Sequence, residues 1–286
     1  MSQWHKIDRD VRDELGEGVT WSARQNALYW VDILAPALNR LSLATGAVER
    51  WEMPELLGWV VEDQNGNLIG GFRNGLARIS LEPRGATPVL HPEPHLPGNR
   101  MNDGKADPHG AIWFGTMEMA EEHPQGSLYR LAPGGKCERV DSGYMVPNGP
   151  AFSPCGHWLY HTDTARRTIY RFAFDGQRIT EKRPFITFAE EQGYPDGMTT
   201  DCEGGLWVAH WDGGRISRFT PDGALDRSIA LPARRVTNIC FAGEQLERMF
   251  VTTAAKDLPV TEYHGALYEV DCGTTGLPTH SYGDRL

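Results

Sequence analysis

GMTTDCEGGLWVAHWDGGRISRF, residues 197–219, contains the unit from which the chain is built. It reads as a short strand ending at Asp201, a turn DCEG from Asp201, an apolar aromatic strand LWVAHW from Leu206 and a second strand GRISRF from Gly214. Outward from it, the aromatic strand recurs as LYWVDI from Leu28, LIGGF from Leu68, IWFGTM from Ile112, WLYHTD from Trp158 and MFVTTA from Met249. The steps between starts are 40, 44, 46, 48 and 43 residues. A partner strand follows each: NRLSL at Asn39, GLARISL at Gly75, GSLYRL at Gly126, TIYRFAF at Thr168 and GALYEV at Gly265. Turns DQNG at Asp63, DPHG at Asp107 and SPCG at Ser153 precede others, and their Asp, Ser and Gly residues are hairpin punctuation. VERWEM from Val48, TPVLH from Thr87 and RSIAL from Arg227 supply a further strand.

Four antiparallel strands repeated six times predict an all-β, six-bladed β-propeller, one domain over residues 1–286. A β-sandwich also spaces short strands by about 8–12 residues, but gives no reason for six matched units. The last repeat has no obvious fourth strand, so QWHKI (3–7) or the tail THSYG (279–283) is expected to close the ring.

Composition bounds the function. The formal net charge is −10 and the chain has no run of Lys or Arg, which argues against nucleic acid as a partner. No segment approaches the ~20 apolar residues of a membrane helix, and MSQWHKIDRD has no signal-peptide pattern, so a cytoplasmic protein with no membrane partner is expected. Five cysteines without a Cys-x-x-Cys pair fit neither a disulfide framework nor a zinc ribbon. The oligomeric state is left open.

In a propeller blade the first strand is innermost and its N-terminal end opens at the mouth of the central channel. Counting back 9 to 11 residues from the six aromatic strands gives Glu17, Trp59, Asn102, Asn148, Asp196 and Asn238. Taken singly, Asn148-Gly149 and Asp196-Gly197 are ordinary turn formers, Glu17 is a loop charge and Asn238 a strand cap. Their shared phase across six repeats points instead to one ring of polar groups facing the axis. Carboxylate and amide oxygens with two negative charges suit a hard divalent cation such as Mg²⁺, Ca²⁺ or Mn²⁺. Neither a Cys/His cluster nor a Gly-x-Ser-x-Gly elbow is present, and His161 and His210, on aromatic strands, read as packing or hydrogen-bonding residues.

The segments LGEGVTW, NRMNDGKADPHGAIWFGTM, VPNGPAFSP, LYHTDT and YPDGMTTDCEGGLWVAHW resemble the gluconolactonase, luciferin-regenerating enzyme and senescence-marker protein (regucalcin-like) family over nearly the whole chain. The resemblance implies a six-bladed propeller that hydrolyses a sugar lactone. It implies one divalent metal ion (calcium, zinc, manganese, magnesium or iron) on Glu17, Asn148 and Asp196, with substrate held by Arg100 and Asn102. The family's acidic residue after GTM falls on Glu118 or Glu121.

Lactone hydrolysis needs a polarised carbonyl, a nucleophilic water and a proton acceptor, for which Asp196 is the expected base. Three rivals are set against this reading: a phosphotriesterase-like propeller hydrolase, a non-catalytic calcium-binding propeller and a WD-type scaffold. Each is separable by metal dependence and by turnover on lactones.

Overall fold

The computed structural model describes residues 3–283. The Asp-punctuated turns of the repeat become hairpins because the Asp carboxylate accepts backbone N–H groups that the turn leaves unpaired. Asp63 Oδ1 accepts from Asn65 and Asn67, Asp107 Oδ1 from His109 and Ala111, and Asp201 Oδ1 from Glu203 and Gly205. In the third and fifth repeats the other carboxylate oxygen also accepts the indole N–H of the next strand's tryptophan, Trp113 at 2.7 Å and Trp207 at 2.9 Å. The side chain that closes the turn therefore also anchors the core.

Six four-stranded antiparallel sheets result, and they form a six-bladed propeller. From the inner strand outward, blade one is Gly16–Ser22, Ala27–Asp32, Ala37–Ser42 and Val48–Glu52. Blade two is Leu57–Glu62, Leu68–Phe72, Gly75–Leu81 and Arg84–Leu90, and blade three is Asn99–Ala106, Ile112–Glu118, Gly126–Leu131 and Cys137–Tyr144. Blade four is Pro147–Phe152, Trp158–Asp163, Thr168–Phe174 and Ile179–Thr187, and blade five is Tyr194–Thr200, Leu206–Trp211, Arg215–Phe219 and Leu225–Ala230. Blade six combines Arg235–Ala242, Arg248–Ala254 and Tyr268–Val270 with Trp4–Lys6 from the other end of the chain.

Of the two candidates for ring closure, the N-terminal segment is the one used: Trp4, His5 and Lys6 pair antiparallel with Val270, Glu269 and Tyr268. The tail does something else. The Gly276 N–H bonds Leu246 O in blade six, while Tyr282 bridges to Asp63 in blade two and the Gly283 N–H reaches Gly110 O in blade three. It thus crosses the end of the channel where the inner strands finish.

Burial falls from the axis outward. Ala27–Asp32 and Leu68–Phe72 are buried at every position, because both faces of a second strand pack on neighbouring blades. Outermost strands such as Ile179–Thr187 are mostly exposed. The core is accordingly a set of wedges between blades. That between blades five and six contains Trp207, Ile216, Val236, Ile239, Met249 and Tyr268.

His161 and His210 are fully buried in second strands. His161 stands edge-on to Tyr144 at 4.7 Å and neither ring nitrogen has a hydrogen-bond partner among the described residues. Burial pushes its pKa down to about 3, and that of His210 down to about 4. The folded state therefore holds both rings neutral while the unfolded chain protonates them near the ordinary value of ~6.5. A depressed folded pKa contributes stability that is complete above the unfolded value and is lost as pH falls towards the folded one. Between pH 7 and pH 5 the loss for one such ring is about 2 kcal/mol. Denaturant unfolding at both pH values should show His161→Phe losing about 2 kcal/mol less than the parent protein over this interval. Equal losses would assign the acid sensitivity elsewhere.

Candidate active site

All six inner strands share one irregularity. Their pairing with the second strand shifts register between Glu17 and Thr20, Leu57 and Trp59, Met101 and Gly104, Asn148 and Ala151, Pro195 and Met198, and Val236 and Asn238. Such bulges re-aim side chains that regular alternation would direct at a neighbouring blade. They coincide with the positions that share a phase in the sequence.

Glu17, Arg100, Asn102, Glu121, Asn148 and Asp196 line one cavity of about 520 Å³ at the channel mouth. Glu118 does not line it. Its carboxylate is turned onto its own loop, where it accepts from the Glu122 and His123 N–H groups and from Gln125 Nε2. That loop carries Glu121 at φ 56, in the left-handed region, and Glu121 is close enough to offset the buried Arg100 guanidinium electrostatically.

Two members of the six-position ring stand apart. Trp59 is fully buried, tilted against Phe114 at 5.7 Å. Asn238 is a bridge, its Nδ2 donating to Glu17 Oε2 at 3.0 Å and to Asp103 Oδ2 at 3.2 Å. A Cβ at residue 197 would lie 2.4 Å from the Asn238 side chain, so Gly197 is what lets Asn238 come up behind Asp196.

The polar groups form a directed chain around the rim. Arg100 Nη1 donates to Asn102 Oδ1 at 2.8 Å, Asn102 Nδ2 donates to Asn148 Oδ1 at 3.0 Å and to the Pro147 carbonyl at 2.7 Å, and Asn148 Nδ2 donates to Thr164 Oγ1 at 2.8 Å. Thr164 Oγ1 in turn donates to the carbonyl of Pro195, the residue before Asp196. Blades three, four and five are thereby locked in one register at the mouth. Each amide is committed to one orientation by its donors and acceptors.

Two residues of this site lie outside the sequence reading. Thr164 opens a single 3-10 turn after the Asp163 strand end, and Asp103 is buried directly after Asn102. Asp103 accepts from the Gly104 and Gly149 N–H groups at 2.8 and 2.9 Å, and so fixes the peptide that follows Asn148. Gly149 has φ 85, a conformation that suits glycine. The NDG sequence pattern signals a turn; only the bulge reveals that its carboxylate points inward.

Charge is concentrated at this end of the channel. Burial raises the Glu17 pKa to about 8, with repulsion from Asp103 adding to it. Asp196 is also raised, by burial first and then by Glu17 and Asp103. Arg100 is the guanidinium that partly offsets both. Burial of three carboxylates around Arg100, with Lys105 beside Asp103, disfavours their ionised forms, and a divalent cation would stabilise those forms. The donor set fits one: carboxylate oxygens of Glu17 and Asp196 with the amide oxygen of Asn148 are hard ligands. Three such donors would leave coordination positions for water and substrate.

The model of the SMP-30/Gluconolactonase/LRE-like region matches residues 15–255. The chain is 34% identical to a 6-deoxy-6-sulfogluconolactonase of Pseudomonas putida, over 87% of this chain and 86% of that protein. It is 32% identical to a pentonolactonase of Haloferax volcanii, over 97% of each. Among solved structures, a calcium-binding protein, regucalcin, from Agrobacterium tumefaciens superposes with a TM-score of 0.92 at 29% identity, covering 98% of this chain and 97% of that one.

Proposed function

The chain belongs to the SMP-30/gluconolactonase/LRE-like family, and from that premise we propose that it opens a sugar lactone to the free hydroxy acid, aided by a divalent cation on Glu17, Asn148 and Asp196. The observation that carries this reading is the convergence of those three side chains with Arg100, Asn102 and Glu121 on one cavity. When bound, the cation supplies polarisation of the lactone carbonyl and offsets charge developing on its oxygen.

The remaining chemistry belongs to side chains of the chain itself. Asp196 accepts a proton from the attacking water as the water oxygen bonds to the carbonyl carbon. The ring C–O bond then breaks and the same proton passes to the departing ring oxygen, leaving a carboxylic acid and a hydroxyl group. Arg100, Asn102 and Glu121 bind the sugar hydroxyls. A hydroxyl missing from the substrate leaves one of these buried groups unpaired, a strong basis for discrimination. Leu34, Leu56 and Trp211 supply apolar wall.

A panel of aldonolactones, assayed after chelation and with single divalent ions added back, tests the proposal. Chelation is expected to reduce ring opening to the uncatalysed rate and one divalent ion to restore it. Full activity in metal-free protein would overturn the cation's role. Ion binding without turnover of any lactone would favour a non-catalytic calcium-binding protein, the reading suggested by the regucalcin likeness. Arg100→Ala should raise KM about tenfold or more, the usual cost of a lost charge-assisted hydrogen bond, and change the order of sugars accepted. Ion affinity measured by calorimetry should not fall in that variant, because a positive charge beside Glu17 and Asp196 is removed.

A further inference from the structure

Lys256 stands on the wall of the same cavity, two residues beyond the blade-six strand Arg248–Ala254. The chain has five lysines, and four have an acceptor: Lys6 on Glu262, Lys105 on the Met198 carbonyl, Lys136 on Glu138 and Lys182 on Asp141. The Lys256 ammonium has neither a hydrogen bond nor an ion pair among the described residues, although the residue is half-buried. Its backbone, by contrast, is held: its N–H bonds Glu14 O and its carbonyl accepts from Arg235 Nη1. Arg235, the neighbouring cation on this wall, is already engaged by Asp212 at 3.1 Å and stacks on Trp211 at 4.6 Å. Among the described residues that line the cavity, Lys256 is therefore the cation without a hydrogen-bond or ion-pair partner.

Its position gives that charge a use. Blade six lies opposite blade three in a ring of six, so Lys256 faces the Arg100 side of the cavity across the Glu17, Asn148 and Asp196 set. A lactone with its carbonyl at the centre and its ring hydroxyls towards blade three directs its exocyclic carbon towards blade six. We propose that the substrate carries an anionic group on that terminal carbon (carboxylate, sulfonate or phosphate) and that Lys256 binds it. This rests on the lactonase reading and narrows its substrate class. The Glu17 and Asp196 carboxylates do not oppose it, because the cation of that reading offsets them. An anion pairing with a half-buried, otherwise unpartnered ammonium gains a charge-assisted hydrogen bond, which neutral lactones of the same ring cannot make.

The test compares the neutral hexono-lactone with lactones bearing a carboxylate, a sulfonate or a phosphate on carbon six. Wild-type kcat/KM should favour at least one anionic lactone by about tenfold or more, the ordinary worth of such a bond, and the order among the three identifies the anion. Lys256→Met should collapse that ratio through the KM of the anionic lactone, and Lys256→Arg should retain most of it. Added salt should shrink the ratio in the unmutated protein, which needs no variant to fold. Calorimetry with the open-chain hexonic and hexaric acids reads the same preference without turnover. Failure to open any lactone would sink the lactonase reading, yet a Lys256-dependent preference for the diacid would still support the anion site. An unchanged ratio in Lys256→Met, or a wild-type preference for the neutral lactone and the monoacid, would overturn it.

Discussion

Asp196→Asn protein, assayed at saturating divalent ion, is expected to keep no more than about one hundredth of the parent activity, whereas Glu17→Gln recovers most of it. Both substitutions remove one negative charge from the same buried cluster, so both should weaken ion binding. Both also keep a carbonyl oxygen at the position. They differ in what else is lost. Asp196 sits at the bulge between Pro195 and Met198, with its backbone fixed through the Thr164 bond to Pro195 O, and in the proposed reaction it accepts the water proton. Glu17 is tied by Gly18 N–H and Asn238 Nδ2 to a holding role. Base catalysis contributes roughly 10²–10⁴-fold beyond occupancy, so saturation can repair one variant and not the other. Ion titration by calorimetry, followed by kcat at saturation, decides it. Equal recovery would leave Asp196 as a ligand alone and move proton acceptance to another group.

The contrast shows how far the sequence reaches into this site. Glu17, Asn102, Asn148 and Asp196 are legible because an inner strand begins at the mouth and the repeat sets a common phase. Trp59 shares that phase and is core, since Gly71 and Gly104 against it leave space that its ring fills. A Cβ at residue 71 would lie 2.2 Å from its indole. Phase specifies where a residue lies along the axis, and the local bulge decides which way it points. Asp103 and Asn238 show the same limit from the other side: the first reads as turn chemistry and the second as a channel residue, yet both lie behind the lining and hold it. Glu118 and Glu121 could not be separated in sequence, because the choice depends on a loop that Glu118 folds with its own carboxylate. The closing strand was ambiguous for a related reason. Trp4–Lys6 and the tail are both short and polar-flanked, and their partners are distant in sequence.

The Asp turns that made the repeat visible should also be its costliest single points of failure, and Asp201→Ala should lower stability by about 3–5 kcal/mol. Asp201 is fully buried. Its carboxylate accepts from the Glu203 and Gly205 N–H groups, from the Trp207 indole and from Arg218 Nε at 2.6 Å and Nη2 at 3.2 Å. Alanine leaves the two backbone donors of the turn and the Trp207 indole without their acceptor, the indole within the wedge between blades five and six. Arg218 loses less, because Asp226 and Glu203 remain beside it at 3.1 and 2.9 Å. Blade four offers an internal comparison, since Ser153 holds the equivalent turn with a hydroxyl that bonds the Trp158 N–H at 3.0 Å and involves no buried ion pair. The penalty for Asp201→Ala should therefore come chiefly from the orphaned donors rather than from the charge. Asp201→Asn, which keeps one acceptor oxygen, should recover more than half of the loss in denaturant midpoints, and Trp207→Phe combined with Asp201→Ala should cost less than the sum of the two single changes. If Asp201→Asn were as damaging as Asp201→Ala, the Arg218 ion pair and not the turn would be what the carboxylate stabilises.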